Sequence, residues 1–153
     1  MASYTFDQIK VNVAIGAFDM SNVPDGAYKV ALVTSAVFAD EATGSLASET
    51  SWDDISQHDI TNSASYNNEG YTGAVDITNV GILSGAVNGF VQVKISATDV
   101  VFPQSQIDAD GAVIYKNDVN KTLYQAMDFG GKQSSNNGIF TIPMADNGFL
   151  RIL

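Results

Sequence analysis

"AVIYKNDVNKTLYQAMDF", Ala112–Phe129, decides the fold class. "AVIYK" and "TLYQAMDF" are apolar segments of strand length, and "NDVNK" between them is a connection of hairpin length. Two antiparallel strands joined by a turn are predicted. Toward the C-terminus the next segment is "GGKQSSNNG", Gly130–Gly138, whose glycines, lysine and serines raise the question of phosphate binding. A phosphate loop needs a Gly-Lys-Ser/Thr sequence, a glycine spaced before it, and a helix N-terminus after it. Here Gln133 follows Lys132, the earlier glycine is missing, and "GIFTIPM" has the pattern of a strand. The segment is predicted only to turn the chain. Gly130, Gly131 and Gly138 then serve backbone conformation, and Lys132, Ser134 and Ser135 are replaceable. Beyond it, "FTIPM" and "FLRIL" flank "ADNG", whose Asn147-Gly148 predicts a second hairpin.

Toward the N-terminus the same alternation recurs. "VQVKISA" places Val91, Val93, Ile95 and Ala97 on one face. "YKVALVTSAVF", Tyr28–Phe38, is apolar on both parities, as in a central strand covered on both sides, and the turn residues Pro24, Asp25 and Gly26 precede it. "IKVNVAI" sets Ile9, Val11, Val13 and Ile15 against polar or small neighbours and predicts a half-buried strand, while Tyr4 and Phe6 fall on the other parity, so that either a bulge lies near Gln8 or the first residues pair with something different. One segment is helical. In "SETSWDDISQHDI" Ser51 is an N-cap with Asp54 three residues on, so a short helix is predicted around Trp52 to Gln57. Gly70 and Gly73 bracket Tyr71 in a turn. Together these segments predict a single all-β domain over residues 1–153, an antiparallel β-sandwich or jelly roll with one short helix. Leu32, Trp52, Val93, Ile95 and Phe140 are the predicted core.

Composition excludes several classes of function. With 153 residues and 45% apolar content the chain has room for a core. It has no cysteine, so disulfides, thiolate catalysis and sulfur-bound metal are excluded, in keeping with a reducing cytoplasm. The first residues lack a long apolar run, and the chain is expected to be soluble, without membrane segment or signal. A net charge of −10 with scattered basic residues argues against nucleic-acid binding.

The side chains with chemical potential are read mostly as surface or core. His58, the single histidine, is expected on the exterior of the short helix. A zinc site or a Ser-His-Asp triad around it is disfavoured. "DADG", Asp108–Gly111, resembles the start of a calcium loop without its closing glutamate and is predicted to be a hairpin turn. Asp53, Asp54 and Asp59 form one acidic group and Asp99, Asp108 and Asp110 another, expected to be solvated rather than to hold a cation between subunits. Tyr66, Tyr71, Tyr115 and Tyr124 either line a sugar-binding surface or, as favoured here, fill the rims of the core. No residue is assigned a catalytic, cofactor-binding or metal-ligating role, and the chain is not expected to be an enzyme.

The order of segments resembles a group of small tailed-phage virion proteins. "YKVALVTSAVF", "SWDDIS", "GYTGAVDI", "DVVFPQ", "AVIYKND", "AMDFGGKQSSNNGIFTI" and "GFLRIL" carry the likeness from Tyr28 to the C-terminus. Gly73-Ala74 departs from the paired glycines common in that group. The resemblance implies an assembly role in the phage particle with no catalytic residues to transfer. The acidic charge favours the outside of the head over contact with packaged DNA. The expected function is therefore a capsid decoration, or cement, protein. It would bind the major capsid protein at the capsid surface after assembly in the host cytoplasm, as a homotrimer. The alternative is a host-recognition module on a head fibre or tail, binding a receptor or glycan through its loops. "NVGILSGAVNGFVQV", Asn79–Val93, has no charged residue and is expected to contribute to a subunit contact.

Overall fold

Two segments that are apolar on both parities form the centre of the larger sheet, because only a strand covered on both faces can bury such a pattern. The computed structural model describes residues 2–16, 23–39, 46–87, 90–144 and 150–152. In chain order the strands are β1 (Ala2–Thr5), β2 (Tyr28–Val33), β3 (Asn68–Glu69), β4 (Val75–Asp76), β5 (Gly81–Val87), β6 (Phe90–Ser96), β7 (Val100–Lys116), β8 (Leu123–Ser134), β9 (Gly138–Ile142) and β10 (Leu150–Ile152). The α-helices are α1 (Asp7–Ala14), α2 (Ala36–Ala39) and α3 (Trp52–Ile55), with short 3-10 turns between. The larger sheet runs β1-β8-β7-β2-β4, with β3 and β9 also pairing with β7, and the smaller runs β10-β6-β5. All pairings are antiparallel, and the fold is an all-β sandwich with a few short helices.

β2 divides the core by parity. Tyr28, Val30 and Leu32 enter one apolar cluster, where Ile114 of β7 and Met127 of β8 meet Ile95 of β6, Phe102 of early β7 and Phe140 and Ile142 of β9. Ala31 and Val33 face the other cluster, which Phe6, Val37, Leu46, Trp52 and Ile55 cover. A bulge preserves this division on β8. Ile114 pairs with Gln125 and Tyr115 with Leu123, so Tyr124 is an extra residue, and Leu123 and Ala126 share one cluster while Tyr124 and Met127 share the other. Leu32, Trp52, Ile95 and Phe140 are buried as predicted, whereas the side chain of Val93 lies outside the described part of the structure.

The short helix forms where its cap predicts. The Asp53 N–H donates to Ser51 Oγ at 3.3 Å and the Ser51 N–H donates to Asp54 Oδ2 at 3.1 Å, a reciprocal capping box. Trp52 stacks on Tyr115 with ring centroids 5.2 Å apart, and Lys121 Nζ lies 2.7 Å from Asp53 Oδ1. The helix thereby closes one end of the β7–β8 hairpin.

Four expectations are corrected. Residues 9–15 belong to helix α1 and its C-terminal cap, not to a strand: Phe6 and Ile9 anchor it at helical spacing, and contacts from Lys10 to Asp7 and from Gln8 to Asn12 join successive turns. Alternation there had no sheet neighbour to act on. The apolar run from Tyr28 leaves the strand at Val33, where the Thr34 N–H turns to the His58 carbonyl at 2.9 Å, and α2 follows. "DADG" is not a turn, since all four residues lie inside β7, which is 17 residues long. Finally, β9 pairs with β7 and β10 with β6, so "FTIPM" and "FLRIL" do not pair with each other. Asn147 and Gly148 lie outside the described residues.

Candidate interaction surface

β7 pairs with β9 and β3 along its first half and with β8 and β2 along its second, and the polar residues of "DADG" lie where the partners change. Opposite Asp110 the partner strand β8 inserts residues 129–132, since Ala109 pairs with Gln133 and Gly111 with Asp128. Gly130 and Gly131 take φ of 78° and 136° there, as the predicted need for glycine requires, and the Gly130 N–H donates to Asp128 Oδ1 at 2.8 Å. The third glycine of the segment, Gly138, has no such need. Asn137, with φ 50°, occupies the left-handed position.

The carboxylates on β7 bind the polar segment that follows the short helix. Asp108 Oδ2 accepts from the Asn67 N–H at 3.1 Å and from Asn67 Nδ2 at 2.8 Å, and Oδ1 accepts from Ser134 Oγ at 2.5 Å. The Ser134 hydroxyl, and then the Asn67 N–H, hold the Asp108 carboxyl below the usual aspartate value. Asp110 Oδ2 accepts from the Tyr66 hydroxyl and from the Ser35 N–H. Lys132 Nζ sits 4.0 Å from the centre of the Tyr66 ring. Ser135 fills the gap where β8 has ended and β9 has not begun. Its Oγ accepts from the Ile107 N–H at 3.1 Å and donates to the Ser105 carbonyl at 3.0 Å. Lys132, Ser134 and Ser135, expected to be replaceable, thus each have a partner within the protein.

The other candidate groups disperse. Asp53 pairs with Lys121, Asp54 caps α3 and Asp99 accepts from the Met144 N–H. Asp59, buried, accepts from Thr61 through Oδ1 and from the Tyr71 hydroxyl through Oδ2 at 2.8 Å. The same hydroxyl accepts from the Leu32 N–H at 3.0 Å, so a side chain completes β2 where β4 no longer reaches. Burial, and then the Asp59 charge, push the Tyr71 hydroxyl far above the usual tyrosine value. His58 is half-buried beside Gln57. Among the described residues no three His, Asp or Glu side chains gather as a metal site. Tyr71, Tyr115 and Tyr124 are buried, as the core-rim reading expects, and Tyr66 is half-buried.

Unpartnered surface is found at the charge-free segment. Most of this segment belongs to β5 and the first half of β6, a ribbon whose root is pinned by Asn79, through its N–H to Asp25 Oδ1 and its Nδ2 to Thr98 Oγ1, both at 2.8 Å. The Thr98 N–H donates to the Thr78 carbonyl at 3.0 Å. Among the described residues β5 pairs with β6 alone, leaving its other edge open. Ile82 pairs in register with Ile95, yet Ile82 is 49% exposed and Ile95 only 1%. The apolar face therefore continues outward beyond its cover. Val11, Val13 and Ile15, on and after α1, are also exposed, where a buried strand face was expected. No helix among the described residues is long and apolar enough to cross a membrane. No protein-family model, curated protein or solved structure matches the chain.

Proposed function

We propose that this chain is a structural protein of a bacteriophage virion, a capsid decoration protein that binds the outer surface of the head and stabilises joints between major capsid protein subunits. The observation that carries this reading is the charge-free edge of β5, unpaired among the described residues, on a chain of net charge −10. A joint between subunits needs neutral surface that can be dried at little electrostatic cost, and this ribbon supplies it. The acidic remainder repels packaged DNA and favours the outside of the shell. The likeness in segment order to small tailed-phage virion proteins supports the same assignment.

The host-recognition alternative draws less support. Three of the four tyrosines that would stack on a sugar are buried, and the fourth carries Lys132 over its ring. The deciding experiment is imaging of the intact particle. Density for this chain on the head at a copy number near that of the capsid protein is expected. A few copies on a fibre or tail would replace this reading with the alternative.

A further inference from the structure

We infer that β5 is a self-pairing edge, by which two copies of this chain join antiparallel along Gly81–Val87 about a two-fold axis at Ser84. The inference rests on the reading of this edge as a subunit joint in the proposed function, assigns that joint to two copies of this chain, and replaces the homotrimer expected from the sequence. An open strand edge presents a row of backbone donors and acceptors that another strand can satisfy, and soluble proteins commonly guard such edges with charge or proline. "GILSGAV" has neither. Centred on Ser84, antiparallel self-pairing sets Ile82 opposite the second copy's Ala86 and Leu83 opposite its Gly85, so every facing pair is neutral.

Charge selects the second copy as occupant. Two chains of net charge −10 repel one another over most of their surface. The smaller sheet is different, since β5, β6 and β10 contain no acidic residue and their charged residues are Lys94 and Arg151, side by side in register. Approach through this sheet brings together the least repulsive parts of two acidic chains. In the joined sheet the β6 strands of the two copies stand three strand spacings apart, about 14 Å. That distance exceeds the screening length of about 8 Å at physiological salt, so the two lysines do not oppose the joint. A basic partner, by contrast, would be drawn to the acidic surface elsewhere. The half-exposed Ile82 gains cover from the second copy, whose strand extends the same face.

The test uses the isolated full chain, without capsid protein, so that its failure leaves head binding open. Sedimentation equilibrium is expected to show a dimer. S84K and S84D place like charges opposite each other at the two-fold axis, and each is expected to raise the dimer Kd by about tenfold or more. Mixing the two variants is expected to restore association, because only a two-fold joint sets position 84 against itself. V119K, at an exposed position of the β7–β8 connection and outside β5, is expected to leave association unchanged. A measurement without variants guards against misfolding: amide exchange across Gly81–Val87 in the parent chain slows as concentration rises. A monomeric or trimeric parent, S84K and S84D variants that associate like the parent, a mixture no tighter than either, an effect of V119K, or exchange independent of concentration would overturn the inference.

Discussion

The two hairpins β5–β6 and β7–β8 are alike in sequence pattern and opposite in circumstance. Around β7–β8, β1 and β2 flank the pair, α3 closes its end, and apolar clusters cover both faces. Around β5–β6, one edge receives the short β10, the other has no partner among the described residues, and Ile82 stands half in solvent. Local alternation is enough to make a ribbon. What makes a ribbon into a core is the set of neighbours on its edges and faces, so equal substitutions should have unequal effects in the two hairpins.

The largest contrast is expected between two glycines. A Cβ on Gly111 would lie 2.4 Å from the Met127 carbonyl oxygen and 2.4 Å from the Phe38 ring, so G111V should cost about 3 kcal/mol or more and lower the melting temperature by roughly 6–12 °C. G81V on β5, whose nearest neighbour would be Ser96 Oγ at 4.0 Å, should change stability by less than about 0.5 kcal/mol. Equal effects in thermal unfolding would remove the distinction between the hairpins.

A similar comparison applies to apolar side chains. L32A should cost about 2–5 kcal/mol in denaturant unfolding, because a fully buried side chain leaves a cavity. I82A should cost less than about 1 kcal/mol in the monomeric chain, since half of Ile82 is already in water.

Removing one oxygen tests how the edge of β2 is completed. Y71F leaves the buried Leu32 N–H and Asp59 Oδ2 without the shared hydroxyl and should cost about 1–3 kcal/mol. The pH dependence follows from the raised folded-state value. The contribution of the neutral hydroxyl is complete below the unfolded tyrosine value of about 10, declines above it, and is gone once the folded value is passed. Alkaline unfolding followed from pH 9 upward should therefore fall less steeply in Y71F than in the parent.

The smallest effect is expected at Asp108, half exposed and tied to Asn67 and Ser134. Its lowered folded-state value means that its contribution is present above the ordinary carboxylate range and lost as pH falls through the folded value. In amide exchange, the Asn67 N–H should lose protection on the acid side in the parent, while D108N should show weak protection at every pH.

Legibility in the sequence followed the range of the interactions concerned. The capping box at Ser51, the β7–β8 hairpin and the doubly buried β2 were readable, because each is specified within a few neighbouring residues. The Ile9–Ile15 segment was misread because alternation is a signal only where a sheet lies alongside, and here only Ile9 reaches the core. The partners of β9 and β10 are set by β7 and β6, far away in the chain, and no local turn signal specifies that choice. The polar cluster was half legible: the glycine pair announced an unusual backbone, but its match to Asp110 depends on the register of two long strands. The charge-free run was visible at once as composition. Its open edge was not, since exposure belongs to the arrangement of strands.

The length of β7 has a mechanical consequence. One strand of 17 residues, rising about 3.3 Å per residue, pairs with β9 and β3 along its first half and with β8 and β2 along its second. A load applied to β9 or β3 enters β7 and passes along its axis into the ladders with β2 and β8. Those ladders are then strained in shear, with many hydrogen bonds sharing the force at once, instead of being unzipped one bond at a time. In the proposed role across the joints of a shell, swelling under internal pressure would pull on the chain, and β7 is placed to carry that pull.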